Sequence, residues 1–151
     1  MRFLSALCCG LSLATLAAPV LALDYRSAVG NALLYDAPSA KGSKRFILAR
    51  GTPVEIVLTQ ESWAKVRDSS GNMSWMESKL LSPQRTVQIR ADKAGVRVEA
   101  NEKSAVAFSA EKNVLLELLE AGSSDVHPGW AKVKHRDGQS GFVKASLVWG
   151  L

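Results

Sequence analysis

Trp63-Ala64-Lys65-Val66-Arg67-Asp68 returns 67 residues later as Trp130-Ala131-Lys132-Val133-Lys134-His135. The match continues downstream in phase, with Gly71 meeting Gly138, Trp75 meeting Phe142, Met76 meeting Val143 and Leu80 meeting Leu147. A shared Trp-led tetrapeptide with a phased tail marks an internal repeat, and a repeat constrains the fold more than propensities do. Upstream the copies align with a changed offset: Leu33, Tyr35 and Ala37 fall opposite Val96, Val98 and Ala100, and Val54, Ile56 and Leu58 opposite Val114, Leu116 and Leu118. A loop insertion explains the change, and Gly122 to Gly129 supplies it.

Within each copy the apolar residues alternate with period two, as in half-buried strands. Asp68-Ser69-Ser70-Gly71-Asn72 and Arg136-Asp137-Gly138-Gln139 carry turn chemistry, Asp-Gly being a strong two-residue hairpin signal. Trp63–Arg67 is therefore expected to pair with Met73–Met76, and Trp130–Lys134 with Gly141–Val143. A single helical turn should follow each hairpin and carry Leu80 or Leu147 back to the core. Leu115 to Leu119 consists of good helix formers, but its alignment with the strand at Val54 decides for β. The second copy opens with the alternating Arg85-Thr86-Val87-Gln88-Ile89-Arg90 after Pro83. The expectation is an all-β chain with two small domains, 24–83 and 84–151. A junction as short as Ser82 to Gln84 favours fixed mutual packing.

The N-terminus reads differently. Met1-Arg2 is a minimal positive start, Phe3 to Leu16 is apolar, and Val20-Leu21-Ala22 offers a small-residue cleavage site. Residues 1–22 are expected to be a signal peptide cleaved after Ala22, giving a periplasmic protein. The competing reading is a retained anchor, because Phe3 to Leu23 is 21 residues without a charge; Pro19 and the Val-Leu-Ala site count against it. Leu7 before Cys8 disfavours a lipoprotein. Cys8 and Cys9 are the only cysteines, so the mature chain would hold neither disulfide nor thiol and no integral membrane segment. The formal charge is +5 from 19 Lys+Arg and 14 Asp+Glu; the excess is mild and evenly spread over the two copies, and Lys41, Lys44, Arg45 and Arg50 form its densest segment. Nucleic-acid binding calls for a stronger excess and stacking aromatics on the same groove, so no nucleic acid is expected.

Gly129-Trp130-Ala131-Lys132-Val133 followed by Asp137-Gly138-Gln139-Ser140-Gly141-Phe142-Val143 resembles the G-W-x-x-V and D-G-x-x-G-[WF]-V pair of bacterial SH3-like (SH3b) domains, specifically the exported tandem kind. Leu33 to Ser39 resembles the opening strand and Pro-Ser turn of that family, and the likeness extends from about Ala28 to Leu151. Ser74 departs from the usual glycine, Asp36 from a frequent arginine, and the second copy lacks the Pro-Ser turn. The resemblance implies two tandem, partly open five-stranded β-barrels with a binding role, often toward cell-wall peptidoglycan or its stem peptides. In many members the domain targets an attached hydrolase; here the two domains are expected to consume the chain.

Catalysis has little to stand on. His127 and His135 lie in or beside loops, with Asp125, Asp137 and Ser140 near in sequence; a nucleophilic triad needs a serine poised on a rigid turn, and loop polarity explains these residues without chemistry. No metal-ligand spacing appears, so neither metal nor cofactor is expected. The aromatics are more informative. Period two puts Ala64 and Val66 on one face and Trp63, Lys65 and Arg67 on the other. Trp130 and Lys132 repeat this, and Trp75 and Phe142 alternate outward in the next strands. Two placements fit: a ledge of Trp63, Trp75, Trp130 and Phe142, with Lys65 and Lys132 beside it and Tyr35 extending it, or burial at barrel ends and between domains. The first suits peptidoglycan or a stem peptide; the second suits an adaptor for an envelope protein.

Overall fold

The computed structural model describes residues 23–122 and 125–151, so the expected signal segment 1–22 lies outside the described residues. In the first half, alternation of apolar and polar residues produces β1 (Asp24–Ala28), β2 (Ala32–Tyr35), β3 (Lys44–Leu48), β4 (Pro53–Gln60), β5 (Trp63–Arg67), β6 (Met73–Glu77) and β7 (Leu81–Ser82). The second half gives β8 (Thr86–Ile89), β9 (Lys93–Arg97), β10 (Val106–Glu111), β11 (Leu115–Glu120), β12 (Trp130–Lys134), β13 (Ser140–Lys144) and β14 (Val148–Trp149). Single 3-10 turns at Ser78–Leu80 and Ala145–Leu147 stand where a helical turn was expected.

The two halves share one topology. Strand order is β3-β2-β6-β5-β4-β1-β7 in one antiparallel sheet and β10-β9-β13-β12-β11-β8-β14 in the other. Each sheet counts seven strands rather than five, the excess including the two-residue β7 and β14 that return onto β1 and β8. Both sheets end on strands not bonded to each other, so each unit is curled but not closed. Even the irregularities match: a bulge falls between Ile56 and Leu58 in one and between Leu118 and Glu120 in the other, bending the longest hairpin back over the core.

The hairpins between β5 and β6 and between β12 and β13 were legible from their turns, although each loop is one residue longer than the Asp-Gly pair suggests. His135 N–H bonds to Gln139 C=O at 2.7 Å around a turn closed by Gly138 N–H on His135 C=O at 2.9 Å. The equivalent bonds run from Asp68 to Asn72 C=O and from Gly71 to Asp68 C=O. Gly71 and Gly138 take φ of 88° and 97°, a conformation other residues adopt only with strain, which is why glycine recurs there.

Each half buries its own small core. Leu34, Val54, Val66 and Met76 centre the first, and Ile89, Val96, Leu116, Val133 and Val143 the second. At about 1.5–3 kcal/mol per fully buried aliphatic side chain, cores of this size are modest, and the units also hold each other. The Thr86 hydroxyl donates to Gly51 C=O at 2.6 Å and lies 2.8 Å from Ser27 Oγ, which accepts Thr86 N–H at 3.0 Å. Beside it the Tyr25 ring stands edge-on to Trp149 at 5.2 Å with the Arg85 guanidinium 5.8 Å from its centroid. Burial, more than the nearby Glu55, raises the Tyr25 phenol above its usual pKa. This is the fixed packing that the short junction implied.

Observed pairing corrects the upstream repeat alignment. Tyr35 pairs with Trp75, and Arg97 with Phe142, so the counterpart of Tyr35 is Arg97, not Val98. Likewise Glu55 opposite Arg67 matches Glu117 opposite Lys134, so Val54 corresponds to Leu116 rather than Val114. A slip of two keeps every side chain on its face, and a slip of one exchanges the faces.

Candidate ligand-binding faces

In β5 the exposure of successive residues alternates half-buried and buried from Trp63 to Arg67, and β12 repeats this as far as Val133. Ala64 and Val66, Ala131 and Val133 enter the cores, which leaves the tryptophans and lysines outside. In β6 and β13 Met76 and Val143 point inward, while Trp75 and Phe142 point outward. Lys65 lies directly across from Trp75 and Lys132 across from Phe142, so each hairpin sets a cation beside an aromatic ring. The ammonium nitrogens stand 5.9 and 5.8 Å from the ring centroids, near the outer limit of a cation–π contact, worth about 0.5–1 kcal/mol at exposed sites.

Tyr35 belongs to this outer face rather than to the core. Its ring meets Trp63 edge-on at 5.4 Å, and it is only 8% exposed. Tyr35, Trp63 and Trp75 thus form one aromatic cluster on the first unit, with Lys65 between the tryptophan positions and Glu77 across from Trp63. Glu77 is bonded to Lys79 at 2.6 Å.

The second unit builds the same face with different charges. Arg97 takes the place of Tyr35, and its guanidinium donates to Ser104 C=O at 2.7 Å. Lys144 takes the place of Glu77, across from Trp130 and 6.0 Å from its ring. Lys132 bonds Glu120 at 3.3 Å, and Lys144 bonds Glu102, whose carboxyl it holds below the usual range. Exposed pairs of this kind are screened by solvent and contribute little, so an incoming carboxylate can displace them at small cost. The His127 ring stands edge-on to Phe142 at 4.7 Å. Arg97 and Lys144 escaped the sequence reading: the first was hidden by the one-residue slip, the second by lying beyond the aromatic motif. At the junction between the units the packed rings are Tyr25 and Trp149.

The remaining polar candidates sit elsewhere. His135 Nδ1 lies 3.0 Å from Asp137 Oδ2, and its ring rests 5.8 Å from Phe108. Asp137 is held below the usual carboxylate range, first by Gln139 N–H and then by His135. Among the described residues no group of three or more His, Cys, Asp or Glu is placed to hold a metal ion, and no helix is long and apolar enough to cross a membrane.

Solved structures to which this chain is similar include NlpC2 and NlpC1 from Trichomonas vaginalis, at 12% and 14% identity with a TM-score of 0.39 for each, covering 88% and 94% of this chain and 50% and 51% of theirs. An NlpC/P60 family protein from Bacillus cereus ATCC 10987 is similar at 15% identity and a TM-score of 0.37, covering 83% of this chain and 56% of its own. The chain therefore spans about half the length of these structures. No curated protein matches it. The Bacterial SH3 domain family matches residues 28–83 and again 90–150, one match within each sheet unit, and the chain belongs to that family as a tandem pair.

Proposed function

We propose that this protein is a non-enzymatic binding protein of the cell envelope, acting in the periplasm, that recognises peptidoglycan or its stem peptides through the Trp63 and Trp130 faces. The observation that carries the reading is the duplicated cation beside an outward aromatic ring, Lys65 with Trp75 and Lys132 with Phe142. Rings supply flat apolar area for a sugar or peptide backbone, and the lysines meet carboxylates. The family's usual role as a binding module agrees with this, and the periplasmic location rests on the export pattern of residues 1–22.

The test is retention on purified, protein-free peptidoglycan. Wild type should sediment with the sacculi, and a folded Trp63→Ala, Trp130→Ala variant should lose at least tenfold in retention. Absence of wild-type retention, or equal retention of both, defeats the wall-binding reading. The alternative is an adaptor for an envelope protein. It draws on the edge strand β3, where Phe46 and Ile47 are exposed on a strand paired on one side only, and it requires a defined partner to co-purify.

A further inference from the structure

Between the two units lies a crevice of about 860 Å³, in the range that holds small ligands, and junctions between domains are favoured places for such sites. Val29, Val114 and Leu115 give it an apolar wall, and Arg50, Arg136 and His135 supply its charged and titratable groups. Among the described residues no carboxylate lines it. The acids bonded to its lining are already engaged, Asp137 with His135 and Gln139, and Glu117 with Gln84 and Lys134. The hydroxyls at its floor are likewise committed, Thr86 to Gly51 C=O and Ser27 to Thr86. Against this saturated lining, neither the Arg50 nor the Arg136 guanidinium has an ion-pair or hydrogen-bond partner among the described residues.

The geometry points to a second binding site in this crevice, for a short peptide whose free terminal carboxylate is held by Arg50 and Arg136 while small aliphatic side chains rest on Val29, Val114 and Leu115. A guanidinium presents a planar fork matched to a planar oxyanion. Phosphate is also an anion that the guanidinium fork matches, but a dianion that keeps its hydration leaves the apolar wall unused, whereas a carboxylate on an aliphatic body uses both. The crevice takes one guanidinium from each unit, so the docking through Ser27 and Thr86 is what brings the site together. It shares no residue with the aromatic faces and stands or falls apart from them.

The probe is N-acetyl-alanyl-valine with a free C-terminus, titrated into the full mature chain by calorimetry and by amide shifts in a nitrogen–proton spectrum, beside its C-terminal amide and inorganic phosphate. The free acid should shift Gly51 and Thr86, and the amide should bind at least tenfold more weakly. Arg50→Gln with Arg136→Gln should reduce affinity at least tenfold while leaving the rest of the spectrum in place. Trp63→Ala with Trp130→Ala should leave this binding unchanged. Equal binding of acid and amide, no shift at Gly51 and Thr86, or full affinity in the arginine variant overturns the proposal. Phosphate binding as tightly as the peptide overturns the carboxylate assignment, and loss in the tryptophan variant alone transfers the binding to the faces.

Discussion

The first and second units have the same strand order, the same bulge and the same hairpin, yet their outer faces differ in charge. Around Trp63 the neighbours are Tyr35, Lys65 and Glu77; around Trp130 they are Arg97, Lys132 and Lys144. Near-equal formal charge in the two halves conceals this, since the difference lies in which face each charge occupies. The two units share the outward Trp63 with Trp130 and Lys65 with Lys132, and differ at the outward positions Tyr35 with Arg97 and Glu77 with Lys144. In the first unit an aromatic side chain backs the tryptophan, and in the second a cation lies over it. On the proposed reading the first face would favour neutral sugar or peptide surface, and the second anionic groups.

The sharpest way to break the equivalence is near the start of the second hairpin strand, β13. Gly141 lies where any Cβ would fall 2.4 Å from Arg97 C=O and 2.9 Å from Val96 Cγ1, while its counterpart Ser74 carries a side chain and is 4% exposed. Strand β9 thus presses onto β13 at a point where the first unit leaves room. Gly141→Ser should destabilise the second unit by about 3 kcal/mol through overpacking, against about 1 kcal/mol for Ser74→Gly. Urea denaturation checks this, and equal costs would show that β9 and β13 can separate freely.

A smaller difference separates the cross-strand ion pairs. Glu55 is 7% exposed and accepts both of its bonds from the Arg67 guanidinium, at 3.1 and 3.4 Å. Glu117, its counterpart, is more open and lies 3.9 Å from Lys134. Removing a partner from a buried carboxylate costs about 3–5 kcal/mol when burial is complete, and the partly exposed Arg67 lowers that. Arg67→Met should therefore cost about 2 kcal/mol and Lys134→Met less than about 0.5 kcal/mol. Paired thermal melts measure both, and a cost for Lys134→Met matching that of Arg67→Met would erase the distinction.

The smallest effect sharpens the comparison of the faces themselves. Glu77→Lys gives the first unit the charge its counterpart holds at Lys144. Retention on anionic sacculi should rise two- to threefold at low salt, and the gain should vanish near 0.5 M, where screening shortens the reach of surface charges to a few ångströms. A gain that survives high salt would mean that the added side chain acts by apolar contact.

How much of this the sequence could carry follows from which errors period two forgives. Trp63, Lys65, Trp75, Trp130, Lys132 and Phe142 stood in an ungapped match, so their outward placement was readable directly. Val54 was aligned two residues away from its true counterpart, and its face was still correct. Tyr35 was aligned one residue away, which hid Arg97 as its counterpart. Tyr25 and Trp149 could not be read at all, because their contact joins the two ends of the folded chain and no local pattern encodes it. The crevice was equally illegible, being formed only when the two units dock.

That docking has a consequence for any target that is a polymer. The clamp of Ser27 on Thr86 holds the two aromatic faces at one separation, so on the proposed reading the pair would work as a caliper. On that reading, once one face is engaged the other would meet a raised local concentration wherever the repeat of the polymer matches the gap, and almost none where it does not. Two weak grips can in this way measure spacing as well as chemistry, a discrimination that a flexible tether between the same two barrels would forfeit.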